Sequence, residues 1–184
     1  MDKKPAVDIV DAEQFRLGMR SLAAAVTIIT TAHAGHRHGM TATAVSSVSA
    51  EPPALLACVN RRASTHDAIA RSLVFCINVL RVEHVELSRA FSGAQSGERR
   101  FRSEDWTRLA TGAPVLIDAL VSFDCRVEQR LAHGTHTLFI GSVERIVAGR
   151  KGRALLYSEG QYGKPATLGE RVLPGELPDS LDWI

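Results

Sequence analysis

The chain has few cysteines, little charge of one sign and no long apolar run, and each shortage excludes a class of protein. Among its 184 residues the three cysteines, Cys58, Cys76 and Cys125, lie far apart with no CxxC pair. A zinc site or redox pair built on cysteine is thereby excluded, and an odd count argues against a disulfide framework; the three read as small buried hydrophobes in a reducing compartment. Net charge is only +2, and basic residues gather no further than pairs such as Arg61-Arg62 and Arg99-Arg100. No nucleic-acid partner is expected from so small a bias. No apolar run approaches the roughly 20 residues of a bilayer span, so no membrane association is expected. The segment Met1 to Val10 lacks the apolar stretch of a signal peptide, which points to the cytoplasm. No GxGxxG follows a strand-like run, and neither GxxxxGK[ST] nor a GxSxG elbow occurs. The dinucleotide fingerprint, the phosphate loop and the serine nucleophile of those motifs have no support.

What is present suits one soluble domain, with 45% apolar and 23% charged residues. Phe15, Met19 and Leu22 at helical spacing predict an amphipathic helix over 12–24. The β-branched run 26–31 predicts a strand, and 32–39, with two glycines and three histidines, a turn. A second strand is expected over 40–49, ended by Pro52-Pro53, and a buried one over 54–60. Ser64, with Asp67 three residues on, reads as a helix cap opening a helix that runs to about Ser72. A core strand over 73–80, a short helix over 83–91 and a mobile polar loop over 92–105 follow. Val121, Phe123, Cys125 and Val127 alternate with Ser122, Asp124, Arg126 and Glu128, the pattern of a half-buried strand whose polar face meets water. Its partner is expected over 137–147 across a turn at His133-Gly134, and a last strand over 154–158. Five to seven strands with short helices predict a mainly β fold, an antiparallel barrel and not βαβ units.

Two segments have the residue types of a ligand site. In Gly39 to Ser49, alternation places Thr41, Thr43, Val45 and Ser47 on one face and the small Ala42 and Ala44 on the other. A flat aromatic ligand needs small side chains beneath it and hydroxyl or amide donors at its edge; a threonine-rich edge strand is the purely structural alternative. In Cys58-Val59-Asn60-Arg61-Arg62-Ala63-Ser64-Thr65, a strand ends in a basic turn that opens a helix, an arrangement suited to an anion. Ordinary helix capping with exposed arginines is the alternative there. His133 and His136, three apart, have no third ligand at a recognisable spacing, so no metal site is assigned.

Taken in order, these segments resemble the short-chain flavin reductase family, the components that feed reduced flavin to two-component monooxygenases. The resemblance rests on Phe15-Arg16, Ala25 to Thr31, Gly39 to Ala44 with Ser46 to Ser49, Glu51 to Leu56, and Cys58-Val59-Asn60 with Ser64-Thr65. It continues through Phe75 to Leu80, Glu98-Arg99-Arg100-Phe101 and Gly134 to Gly141. It spans roughly residues 12–163, leaving 1–11 as an N-terminal segment and 164–184 as an extended tail.

The resemblance implies an FMN-binding split β-barrel, Greek-key-like and homodimeric, with a flavin in each interface cleft. Thr41, Ala42, Thr43 and Ala44 would line the isoalloxazine, with Ser47, Cys58, Val59 and Arg61 among the contacts. Asn60, Ser64 and Thr65 would hold the phosphate end, and Phe101 would close over the ring. His136 would help place the nicotinamide; the family's Gly-Asp-His-Thr pattern reads Gly134-Thr135-His136-Thr137 here. Tyr162 is a further candidate for the nicotinamide pocket. The implied activity is reduction of FMN or FAD by NADH or NADPH, with a flavin-dependent monooxygenase receiving the product. Three other functions remain open: a flavin-binding module that transfers electrons or stores cofactor without nicotinamide turnover, an oxidase of the pyridoxamine-phosphate type, and a ligand-free structural protein.

Overall fold

The computed structural model describes residues 10–93, 97–102 and 104–166. Its elements are α1 (Ala12–Arg20), β1 (Ala24–Ala25), β2 (Thr27–His33), β3 (His36–Ala42), β4 (Val45–Ala50), β5 (Pro53–Asn60) and α2 (Ser64–Ser72). There follow β6 (Val74–Val79), α3 (Val85–Ser92), β7 (Trp106–Arg108), β8 (Pro114–Leu116), β9 (Val121–His133), β10 (His136–Ala148), β11 (Leu156–Ser158) and β12 (Gln161–Gly163). Short 3-10 turns occupy Val82–His84 and Gly97–Phe101.

Seven strands form one antiparallel sheet in the order β3-β2-β6-β9-β10-β5-β4. Its two edges, β3 and β4, are consecutive in sequence, and Thr43 and Ala44 carry the chain between them. Met40 and Ala42 from one edge and Val45 from the other pack on the same core of Ile29, Val59, Phe75, Ile77 and Phe139. The sheet therefore curls into a barrel that stays open at this seam. Ile69 of α2 enters the same core. A second core outside the barrel joins Ile28 and Leu80 to Leu87 and Phe91 of α3, with Phe101, Leu116 and Leu155.

Several elements depart from the sequence expectation. The first helix stops at Arg20, capped by Asp11 and Gln14, and buries no residue; Phe15 is 61% and Met19 47% exposed. The expected turn over 32–39 shrinks to Ala34-Gly35, both at positive φ (50° and 79°), because His33 pairs with His36 and the strands extend to meet there. The strand expected over 40–49 is two strands, broken at the seam. Ala63, not Ser64, is the N-cap of α2, with no side-chain cap; the Asp67 carboxylate lies 3.0 Å from His66 Nδ1 instead. The strand expected over 154–158 begins at Leu156, Ala154 contributing an isolated bridge to Arg81, and it is not the last, since β12 follows it.

Ser122 and Asp124, expected on a wet face, are wholly buried. The β7–β8 pair and the turn at Thr111 cover them, and the Asp124 carboxylate accepts from the Thr111 N–H (2.9 Å) and hydroxyl. Part of the loop over 92–105, and the tail beyond residue 166, lie outside the described residues.

Candidate functional site

A cleft of about 710 Å3 opens beside the seam between Thr41-Ala42-Thr43 and the β11–β12 turn, with α3 along one side. Its lining is mixed: Thr41, Ala42 and Thr43, apolar Val26 and Val85, Tyr157 and Tyr162, and Arg89, Ser92, Gly160 and Gln161. A concave site of this volume is of small-molecule size. Small side chains at Ala42 and Thr43 leave a wall on which a planar ring has room to lie.

Why the wall sits there follows from packing. An added Cβ at Gly39 would meet the Phe91 ring at 2.6 Å, so only glycine lets α3 press this closely on β3. The Thr41 hydroxyl then donates to Ser88 O (2.6 Å), and the Ser88 hydroxyl lies 2.9 Å from the Tyr162 hydroxyl. Those bonds join β3, α3 and β12 around the cleft.

From the cleft the expected ligand-contacting residues continue as a strip across the seam. The Cys58 N–H donates to Ala44 O (2.9 Å). Asn60 lies two residues further on the same face of β5, directly across from His136 of β10. The Asn60 side chain accepts from Arg62 N–H (2.9 Å), and Arg61 N–H donates to Thr135 O (2.9 Å), which fixes the basic turn against the β9–β10 hairpin. The Thr135 hydroxyl lies 2.9 Å from His136 Nδ1, and threonine stands here where the family pattern has aspartate. Ser64 is exposed at the start of α2 and Ser47 is exposed on β4, in a second recess beside Thr43.

Three expected contacts do not present their side chains. Val59 is fully buried in the barrel, and Thr65 is 1% exposed on the inner face of α2. Phe101, expected to close over a ligand, is 3% exposed; it packs edge-on against Phe91 and Trp106 with the Arg37 guanidinium 4.6 Å above its ring centroid. It is a core group because Arg37–Glu98 and Arg100–Gly39 contacts strap its 3-10 turn onto β3.

The thiols are poor nucleophiles. Burial raises the pKa of Cys58, and burial with Asp124 and Glu144 nearby pushes Cys125 up to about 12. Among the described residues no group of three or more His, Cys, Asp or Glu is arranged to hold a metal ion. Nor is any helix among them long and apolar enough to cross a membrane. Sequence reasoning missed Arg89, Ser92, Gln161 and Tyr157, though Val85, Arg89 and Ser92 stand at i, i+4 and i+7, a stripe of one helix face. It also missed His66, whose Nε2 lies 2.9 Å from the Thr137 hydroxyl, and Arg130, which joins Arg61 in a small recess under the basic turn.

An antiparallel barrel left open at a seam, with a small-residue wall on one side and a basic turn on the other, defines a protein built to hold a flat, anionic ligand. The pattern of the flavin reductase like domain matches residues 19–166, and the chain belongs to that family. It is 46% identical over 153 residues to the FMN reductase (NADH) RutF of Methylorubrum populi, covering 83% of this chain and 76% of that protein. Its fold matches a putative flavin reductase from Haemophilus somnus with TM-score 0.82 and 38% identity, over 85% of this chain and all of the other. It also matches a nitrilotriacetate monooxygenase component B homologue from Mycobacterium thermoresistibile with TM-score 0.81 and 29% identity, over 92% and 93% of the two chains.

Proposed function

We propose that this chain transfers a hydride from NADH to FMN or FAD and releases the reduced flavin to a separate monooxygenase. The observation that carries the reading is the 710 Å3 cleft with its Thr41-Ala42-Thr43 wall, in a chain closely similar to an NADH-dependent FMN reductase. Flavin fits the residues present. The ring would lie on Ala42 and Thr43, with the Thr43 hydroxyl supplying a donor at its edge while that of Thr41 holds Ser88 O, and the strip through Ala44 and Cys58 would lead its tail to Asn60, Arg61 and Ser64. When bound, the flavin supplies the hydride-accepting ring.

The chain's own work is orientation and electrostatics, because hydride transfer between stacked rings needs neither a nucleophile nor a metal. Val26 and Val85 exclude water from one side of the cleft. The seam amides and the Thr43 hydroxyl would stabilise negative charge on the bound ring. His136, held by Thr135, is placed to help seat the nicotinamide, with Tyr162 fixed by Ser88 on the other side. The barrel over 12–163 would be the catalytic domain. A second copy of the chain would complete the site as a homodimer, a reading supported by the exposed apolar face of α1 and by exposed Leu131 on β9. Three unpaired cysteines favour a cytoplasmic location.

The test is anaerobic oxidation of NADH, and of NADPH, with FMN and FAD supplied in excess in turn. Consumption that scales with added flavin well beyond one equivalent supports a diffusible-flavin reductase and ranks both pairs of substrates. If flavin binds and neither nicotinamide is oxidised, the chain is a flavin-binding module instead.

A further inference from the structure

Arg89 is the one charged side chain among the described residues lining the cleft. Its position is set by a braced helix, since Thr41 bonds Ser88 O from below (2.6 Å) and the Ser88 hydroxyl meets the Tyr162 hydroxyl (2.9 Å). The guanidinium stands 5.7 Å from the Tyr162 ring centroid and 2.5 Å from the Glu86 carboxylate. That ion pair is exposed, at 60% and 81% for the two side chains, so it holds Arg89 only weakly and leaves its outer N–H groups to a stronger anion. A planar guanidinium suits the paired oxygens of a phosphate.

The proposed reaction joins two phosphate-bearing molecules, and among the described residues Arg89 in this cleft and Arg61 at the basic turn line separate recesses. Arg61 lines the recess at the basic turn, at the end of the strip through Ala44, Cys58 and Asn60 to which the flavin tail is assigned. Arg89 lines the cleft itself, together with Thr41, Ala42 and Thr43. Resting on the reductase reading, we infer that Arg89 is the residue that binds the diphosphate of the reduced nicotinamide dinucleotide and so sets the affinity for that substrate.

The experiment compares the full chain with Arg89→Ala and Arg89→Lys, using NADH and, as a phosphate-free hydride donor, reduced nicotinamide riboside. Arg89→Ala should raise KM for NADH by about tenfold with kcat within about twofold, the loss expected for one charge-assisted contact in a wet cleft. Arg89→Lys should fall between. With the riboside the variants and the wild type should coincide, and the affinity for FMN, measured by fluorescence titration, should not change. Calorimetric titration with NAD+ should show the same loss as KM. An unchanged NAD+ affinity, an equal loss with the riboside, or a weakened FMN affinity in its place would each overturn the assignment. A wild-type chain that oxidises no NADH would instead sink the reductase reading, and the NAD+ titration would still decide the role of Arg89.

Discussion

Asp124 is a buried carboxylate whose hydrogen-bond partners come from a turn that the strand pattern does not reveal. Both Thr111 donors reach it, and the turn they hold brings β7 and β8 over β9. Asn78 does the same from β6, accepting from the Leu116 N–H (2.8 Å) and the Ser122 hydroxyl (2.9 Å) while donating to Ile28 O (3.1 Å). Removing an acceptor here strands a buried N–H, at a cost of about 1–3 kcal/mol. Asp124→Ala should therefore lower unfolding free energy in urea by that amount, with KM for NADH unchanged because the cleft lies elsewhere. Asp124→Asn, which keeps one acceptor oxygen, should lose less. A loss under about 0.5 kcal/mol for the alanine variant would show that the β7–β8 cover is held by its apolar contacts alone. Asn78 and Gly39 both lie in segments that carry the family resemblance, yet one is a lock between layers and the other a close approach for Phe91. Resemblance marks positions that matter without saying whether they touch a ligand.

At the scale of elements, the barrel strands were legible because each carries its own period of β-branched or alternating residues. What covers them was not: β7 and β8 are three residues each, joined by the turn over 109–113, and too short to show a period. Since that cover was unseen, Ser122 and Asp124 read as a wet face. The candidate site was half legible for a related reason. The seam and the basic turn are contiguous motifs, whereas Arg89 and Tyr162 come together only through tertiary packing. The β2–β3 hairpin shows the same limit, since pairing places His33 against His36 with His38 close by. Burial, then His36 and His33, pull the pKa of His38 below its ordinary 6.5, against a smaller opposing effect of Glu98. The folded chain thus binds protons here less readily than the unfolded one. Stability is full above about pH 6.5 and is lost as pH falls from there through the lowered value. Burial and Arg81 lower His84 in the same direction. Tm should accordingly drop between about pH 7.5 and about pH 5.5, and His38→Gln should reduce the drop while His84 sustains the remainder. An identical drop in the variant would remove His38 from the account. Glu98, whose pKa Arg37 lowers, acts in a separate window below its ordinary 4.5.

At the scale of the whole molecule, the described residues leave apolar surface that they do not themselves cover. Phe15 and Met19 stand four residues apart on α1 and Leu22 follows three further on, just past its end, all three exposed. The end of that helix is tied to the site side of the barrel, because Glu159 N–H donates to Arg20 O (2.7 Å) and the adjoining Gly160 lines the cleft. An amphipathic helix with nothing against its apolar face gains little from forming alone, since most helix stability comes from packing that face. A second copy that covers α1 would therefore stabilise the helix and, through the Arg20–Glu159 bond, the rim of the cleft. The double variant Phe15→Glu with Met19→Glu should convert a dimer to a monomer in sedimentation at micromolar concentration. FMN affinity should fall with it, although neither residue lines the cleft. Dimers that survive the two charges would mean that α1 lies outside the interface, and the exposed outer face of β9 and β10 around Leu131 would be the next to test. Monomers with undiminished FMN affinity would separate assembly from the site and show that one chain holds flavin unaided.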